Sequence, residues 1–227
     1  MLNMTASSDD TPVGSTVSST RRAYEALREA ILTGRLVPGE RLKVDRLKDM
    51  LDTGASPIRE ALSLLTSDQL VERQDQRGFR VAPVSVAQFE EILALRCSLE
   101  VMALMETLKN ADKPWEEALV LAHHRLSRAG QDNSAEFERY HKAFHMALLS
   151  RCASPILLKF CDQLYDLNIR YRYLAGKSGT YSRRKVSREH SEIMYAALDR
   201  DTDLTATRLT QHYRRTGEFL AGQLARL

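Results

Sequence analysis

The sequence predicts a mainly α chain in two parts: a unit of three helices and a hairpin, then an all-α antiparallel helical bundle. Three observations carry this. Apolar residues recur at helical spacing along most of the 227 residues, the mark of helices with one buried face. A hairpin signal, two short apolar pieces around a polar loop ending in Gly78, occurs once, at residues 70–81. Pro83 sits in a stretch of little periodicity between the two regimes, which reads as a linker over 83–86.

The length suffices for one large or two ordinary domains, each with its own core. Net charge is +3 and the pI about 8.8, a balance that serves nucleic-acid binding only where the cations gather on one face. Cys97, Cys152 and Cys161 are odd in number and irregularly spaced. They form neither a disulfide framework nor a zinc-finger pattern, so reduced thiols in a cytoplasmic protein are expected. No apolar run approaches the ~20 residues of a membrane span. Residues 1–20, rich in Ser, Thr and Asp, lack an apolar core and are expected to be a disordered tail.

The first domain is expected over 21–82. Tyr24, Leu27, Ile31 and Leu32 mark a helix over 21–34, which Pro38-Gly39 ends before a short extended piece. Val44, Leu47, Met50 and Leu51 mark a second helix, closed around 52–54. Ser56 then offers an N-cap, with Pro57 at the first helical position, where a missing N–H costs nothing. Ile58, Ala61, Leu62 and Leu65 form one stripe of this third helix, and Ser56, Arg59 and Ser63 lie opposite. Three helices and the hairpin around 74–78 describe a winged helix-turn-helix, whose third helix enters the major groove.

Four fragments in register, Pro38-Gly39-Glu40-Arg41-Leu42, Ser56-Pro57-Ile58-Arg59-Glu60-Ala61-Leu62, Leu70-Val71-Glu72 and Arg77-Gly78-Phe79, resemble the DNA-binding domain of GntR-family regulators. The resemblance implies DNA contacts at Ser56, Arg59, Arg77 and Gly78. The chemistry agrees: Arg59 can fork two N–H donors to a guanine edge or a phosphate, and a helix N-terminus suits phosphate. One departure stands out. Family members usually carry Arg immediately before the Ser/Thr-Pro pair, and here that residue is Ala55. Residues 21–84 hold 12 Lys/Arg against 10 Asp/Glu, so phosphate contact must rest on a few placed arginines and on dimerisation.

The second domain is expected over 87–227. Ser85 and Gln88 form a capping box ahead of a helix to about Asn110, with Phe89, Ile92, Leu93, Leu99, Met102 and Ala103 at helical spacing. Pro114 starts a helix to Arg128, Ser134 opens the next, and Ser154-Pro155 caps one reaching about Leu174. A loop over 175–181 and helices of about 183–198 and 203–226 complete six helices. With Phe144-His145-Met146-Ala147-Leu148, Ser154-Pro155-Ile156-Leu157-Leu158, Glu189-His190 and Gln211-His212, this half resembles the FCD effector domain of the FadR subfamily. The Gly54-Ala55-Ser56-Pro57 turn and the Arg170-Tyr171-Arg172 run are similar to its CsiR-like branch.

His141 and His145 are four apart and project from one helical face, while His190 and His212 lie on later helices. The resemblance implies that these four are metal ligands, with His141 standing where the family usually has Asp. His123 and His124 are assigned to the structural or exposed class. Imidazoles suit zinc or nickel better than magnesium or calcium, which take oxygen. A site without a carboxylate ligand would stay dicationic and favour an anionic small ligand; alternatively His141 marks a site that has lost its metal and binds a ligand directly. The resemblance turns Arg96 toward the cavity, and Arg170 is expected beside it; for Arg172 a surface ion pair is equally open.

The expected function is a homodimeric regulator, a repressor by default, that binds operator DNA under control of a small carboxylate metabolite. A metal-dependent hydrolase and an effector-independent DNA-binding scaffold are the rivals. No nucleophile elbow, P-loop, HExxH or dinucleotide fingerprint is present, so no catalytic residue is assigned.

Overall fold

The computed structural model describes residues 18–129, 135–176 and 186–224. Helix α1 spans Ser19–Leu32, two residues earlier than its periodicity suggests, because Ser18 caps it: its hydroxyl accepts from the Arg21 N–H at 3.2 Å. Of the expected tail, residues 1–17 lie outside the described residues. Strand β1 (Arg41–Leu42), α2 (Val44–Leu51), α3 (Ala55–Ser67), β2 (Val71–Gln74) and β3 (Gly78–Val81) follow. The sheet order is β1-β3-β2, antiparallel throughout, with Arg41 opposite Arg80 and Gln74 opposite Gly78. Gly39, at φ +79°, lets the chain turn so that its N–H reaches the Val81 carbonyl and starts β1 against β3.

Two expectations on helix starts need correction. Gly54, not Ser56, is the N-cap of α3. Ser56 lies inside the first turn, where its hydroxyl donates to Glu60 Oε1 at 3.1 Å. At Ser85 only half of the capping box forms: the hydroxyl accepts from the Gln88 N–H, but the Gln88 Oε1 is taken by the Tyr171 hydroxyl at 3.0 Å. Met50 and Met102, placed in apolar stripes by their spacing, are exposed.

The bundle contains α4 (Val86–Asn110), α5 (Lys113–Arg128), α6 (Ala135–Leu149), α7 (Pro155–Gly176), α8 (Val186–Leu198) and α9 (Thr202–Leu224). No strand follows β3 among the described residues. Ser154 caps α7 by accepting from the Leu157 N–H, and Asp112 does the same for α5 through Trp115. The expected cap Ser134 and the loop after 176 fall outside the described residues. Helices α4 and α9 approach closely at Gly217, where a Cβ would lie 2.2 Å from Leu93 Cδ2.

The core of the first domain (Leu27, Ile31, Ile58, Leu62, Leu65, Val81) continues without a gap into Phe89, Ile92, Leu164, Leu167, Ile169 and Tyr171 of the bundle. A second cluster, around Trp115, Leu119, Phe144, Leu148, Ile193 and Leu209, fills the far end.

Candidate functional site

On the first domain, the stripe Ile58, Ala61, Leu62 and Leu65 is buried, which turns Ser56 and Arg59 outward into solvent. Arg77 and Gly78 are exposed at the wing tip, where Gln76 and Gly78 take positive φ of 57° and 86°. That tight turn, closed by the Arg77 N–H on the Gln74 carbonyl at 3.1 Å, presents a cation where little side chain blocks close approach.

Inside the bundle, α6 supplies His141 and His145, α8 His190 and α9 His212. They are 3, 1, 2 and 3 % exposed, and one ligand atom from each lies within 4.8 Å of the others. Histidines this buried stay neutral unless an anion pairs with the protonated ring. His141 and His145 are held well below the usual imidazole range, first by burial, then for His141 by Arg172 and for His145 by His190 and His212. Neutral imidazoles are what a metal requires.

The partners of the rings set which nitrogen is offered. Tyr213 donates its O–H to Glu100, so the His145 Nδ1, 2.9 Å from that oxygen, acts as donor and leaves Nε2 for the cavity. His212 Nδ1 faces Glu189 Oε2 at 2.8 Å, the carboxylate–histidine arrangement found behind metal ligands. His145 Nε2 lies 3.3 Å from His141 Nε2, close to the roughly 3.4 Å separating two nitrogens on a tetrahedral zinc at ~2.05 Å. The donor set therefore fits a transition metal. The expectation of a site without carboxylates is refined: none is a candidate ligand, yet Glu189 stands directly behind His212, Glu100 behind Tyr213 and Glu138 behind Arg172.

Arg96 is buried as expected. It pairs with Glu100 at 2.6 Å, donates to Asn168 at 3.0 Å, and stacks over Tyr213 at 4.3 Å. With His141, Asn168, Arg172 and His212 it lines a cleft whose free space is only about 10 Å³, room for about one water. Arg170 does not join them. Its guanidinium donates to the Ala82 carbonyl at 2.6 Å, at the end of the first domain. The reason is helical: residues two apart on α7 point about 200° from one another, so Arg172, not Arg170, reaches the cavity. Arg172 is buried rather than on the surface, 3.1 Å from Glu138, with Nη1 3.0 Å from His141 Nδ1 and 3.3 Å from Nε2. Burial pushes the Glu138 carboxyl up, against the pull of Arg172.

Sequence reasoning missed Glu100, Glu138, Tyr165 and Tyr213. Glu100 stands four residues after Arg96 and Glu138 three before His141, spacings shared with many exposed pairs. Tyr165, whose hydroxyl is 2.5 Å from His141 Nδ1, left no local signal at all. His123 bears out its structural assignment, half-buried with Nε2 3.1 Å from the Ser191 hydroxyl.

Comparison with known proteins gives a consistent result. Residues 19–81 match the family described as bacterial regulatory proteins, gntR family, and residues 91–215 match the FCD domain. The chain is 35% identical over 214 residues to the HTH-type transcriptional regulator BphR of Paraburkholderia xenovorans, covering 91% of this chain and 87% of that protein. It is 30% identical to the HTH-type transcriptional repressor GlaR of Escherichia coli, covering 83% and 90%. The solved structure of E. coli McbR/YncC superposes with a TM-score of 0.80 at 23% identity, over 92% of this chain and 99% of that one; it supports the fold alone.

Proposed function

We propose, from the premise that this chain belongs to the gntR family of bacterial regulatory proteins and carries an FCD domain, that it is a homodimeric repressor. The same membership makes it a transcriptional regulator of the FadR-like subfamily and not an enzyme, so the hydrolase reading is set aside. In our reading Ser56, Arg59, Arg77 and Gly78 contact operator DNA, and a small carboxylate releases it. That carboxylate binds beside a zinc or nickel ion held by His141, His145, His190 and His212.

The observation that carries this is the convergence of four buried imidazoles, three of them with polar partners at a ring nitrogen, next to two buried arginines. Bound there, the ion would supply a positive charge to orient an anion. Arg96 and Arg172 would pair with the carboxylate in a charge-assisted manner, Arg172 taking the place first given to Arg170. The CsiR-like turn at Gly54–Pro57 and the Arg170-Tyr171-Arg172 run favour a dicarboxylate such as glutarate. A two-fold dimer presents two recognition helices to two half-sites. The exposed apolar residues Leu95, Met102, Ile156 and Phe160 on α4 and α7 support a surface that a second copy covers. No helix among the described residues is long and apolar enough to cross a membrane.

The test is elemental analysis of protein purified without chelator, followed by thermal melts with dicarboxylates in the presence and absence of chelator. Metal content near one per chain and a chelator-sensitive shift with a dicarboxylate are expected. A metal-free protein that no carboxylate stabilises would leave only the DNA-binding scaffold.

A further inference from the structure

Helix α7 touches both halves of the molecule with opposite faces. On one face Tyr165, Asn168 and Arg172, spaced at i, i+3 and i+7, meet His141, Arg96 and the Glu138–His141 pair respectively. On the other, Gln163, Asp166 and Arg170 repeat that spacing two residues earlier, about 200° round the helix. Gln163 donates to the Ser67 carbonyl at the end of α3, at 3.4 Å. Asp166 accepts from Arg28 of α1 at 3.0 Å, and Arg170 donates to the Ala82 carbonyl, where the chain leaves the first domain. These contacts span the DNA-binding domain from its first helix to its exit.

Asp166 is also held from the bundle. Lys142, the residue after His141, lies 2.8 Å from Asp166 and 2.7 Å from Asp162. Lys142, Asp166, Arg28 and Glu138 line one groove of about 450 Å³ between α1, α6 and α7. The two α6 residues bracketing His141 in the structure, Glu138 and Lys142, therefore both reach the surface on which α1 is seated.

The cavity side of α7 has a built-in conflict. With about 10 Å³ free, the cleft admits a bare ion but no carboxylate unless a side chain withdraws. Of the residues lining it, Arg172 is the one whose guanidinium lies against His141. If His141 offers Nε2 to a cation, its Nδ1 must carry the proton and donate to the Tyr165 oxygen. Neither nitrogen then accepts from Arg172, whose charge also repels the ion.

We propose that α7 is the coupling element of this protein: occupancy of the histidine cavity moves Arg172, and the Lys142–Asp166–Arg28 contact on the reverse side converts that change into firmer seating of α1. The inference rests on the metal reading given above and adds its route of regulation. Cross-linking α6, α8 and α9 through their histidines stiffens the platform that carries Lys142, so α1 gains protection at a distance from the cavity.

The test uses the full chain, zinc as the sole added ligand, and hydrogen exchange read peptide by peptide. Zinc should slow exchange in α8 and α9, and slow Ser19–Leu32 by about fivefold or more, the lower end of ordinary coupling between sites. In Arg28→Gln the zinc content and the response of α8 and α9 should persist, while the α1 response falls below about twofold. Glu138→Gln/Arg172→Gln removes the buried pair together and strands no charge; it should likewise keep zinc and lose the α1 response. Zinc uptake that leaves Ser19–Leu32 unchanged, or that slows it equally in both variants, overturns the coupling while the metal site stands. Absence of zinc uptake overturns the metal site and the coupling with it.

Discussion

In the DNA-binding domain the polar groups stand outside an apolar core, whereas in the helical domain the polar groups form much of the core. Every buried side chain among the described residues up to Ala82 is apolar, while Arg96, Glu100, Glu138, four histidines, Asn168, Arg170 and Arg172 are buried beyond it. The difference assigns two kinds of sensitivity. An exposed cation such as Arg59 contributes to a partner and almost nothing to the fold. A buried histidine or arginine contributes to both, and taking one member of a pair strands the other at a cost of several kcal/mol.

The strongest challenge to this contrast is Arg59→Ala. If the side chain forks to a base in each half-site, its loss should weaken operator binding by about 30-fold or more, from roughly 1–3 kcal/mol per contact in each protomer. Fluorescence anisotropy measures this, and the melting temperature should not change. Full-strength, specific binding by the variant would remove the recognition role from α3.

Acid probes the opposite half. His141 and His145 have folded-state values depressed by burial, so the unfolded chain takes up protons that the native rings refuse. Stability of the metal-free protein should therefore be level above pH ~6.5 and fall below it, by about 1.4 kcal/mol per pH unit for each histidine. Urea unfolding between pH 7.5 and 5.5 gives the slope; a flat profile would mean that the rings are not buried neutral.

Zinc sharpens the same contrast. At 100 times its dissociation constant it should stabilise the native chain by about 2.7 kcal/mol, and His145→Ala should respond little. Paired melts of the two proteins with zinc and with chelator decide the matter. Gly217→Ala should cost about 1–3 kcal/mol through overpacking, because its new methyl meets Leu93. Chemical unfolding should show that cost with operator affinity retained, and a neutral result would mean that Leu93 turns aside freely.

Surface chemistry and buried chemistry also differed in how far they could be read from the residues. Helix α3 was legible because a proline, a glycine turn and a stripe of Ile58, Ala61, Leu62 and Leu65 leave one outward face. The six helices that the described residues of the bundle form were legible too, and so were the four histidines: His141 and His145 through their i, i+4 spacing, His190 and His212 only through the family resemblance. What surrounds the histidines was not. Tyr165, Tyr213 and Glu138 acquire meaning only when three helices are packed, and the exchange of Arg170 for Arg172 depends on the rotation of α7, which periodicity alone does not set. Ser56 shows the limit on a smaller scale: a Ser-Pro pair is a capping signal at Ser154, but one more residue of helix at Ala55 turned the same device into an internal hydrogen bond with Glu60.

The apolar core that runs from Leu27 and Leu65 through Phe89 to Tyr171 bears on how the molecule comes apart. Because the first domain's core runs on into the bundle, its interior is incomplete without it, and thermal denaturation of the intact chain should be one calorimetric transition. A fragment ending at Ala82 would leave the part of α1 that now lies against α7 facing water. Expressed alone, the DNA-binding half loses that cover on α1, and it should melt below the intact chain.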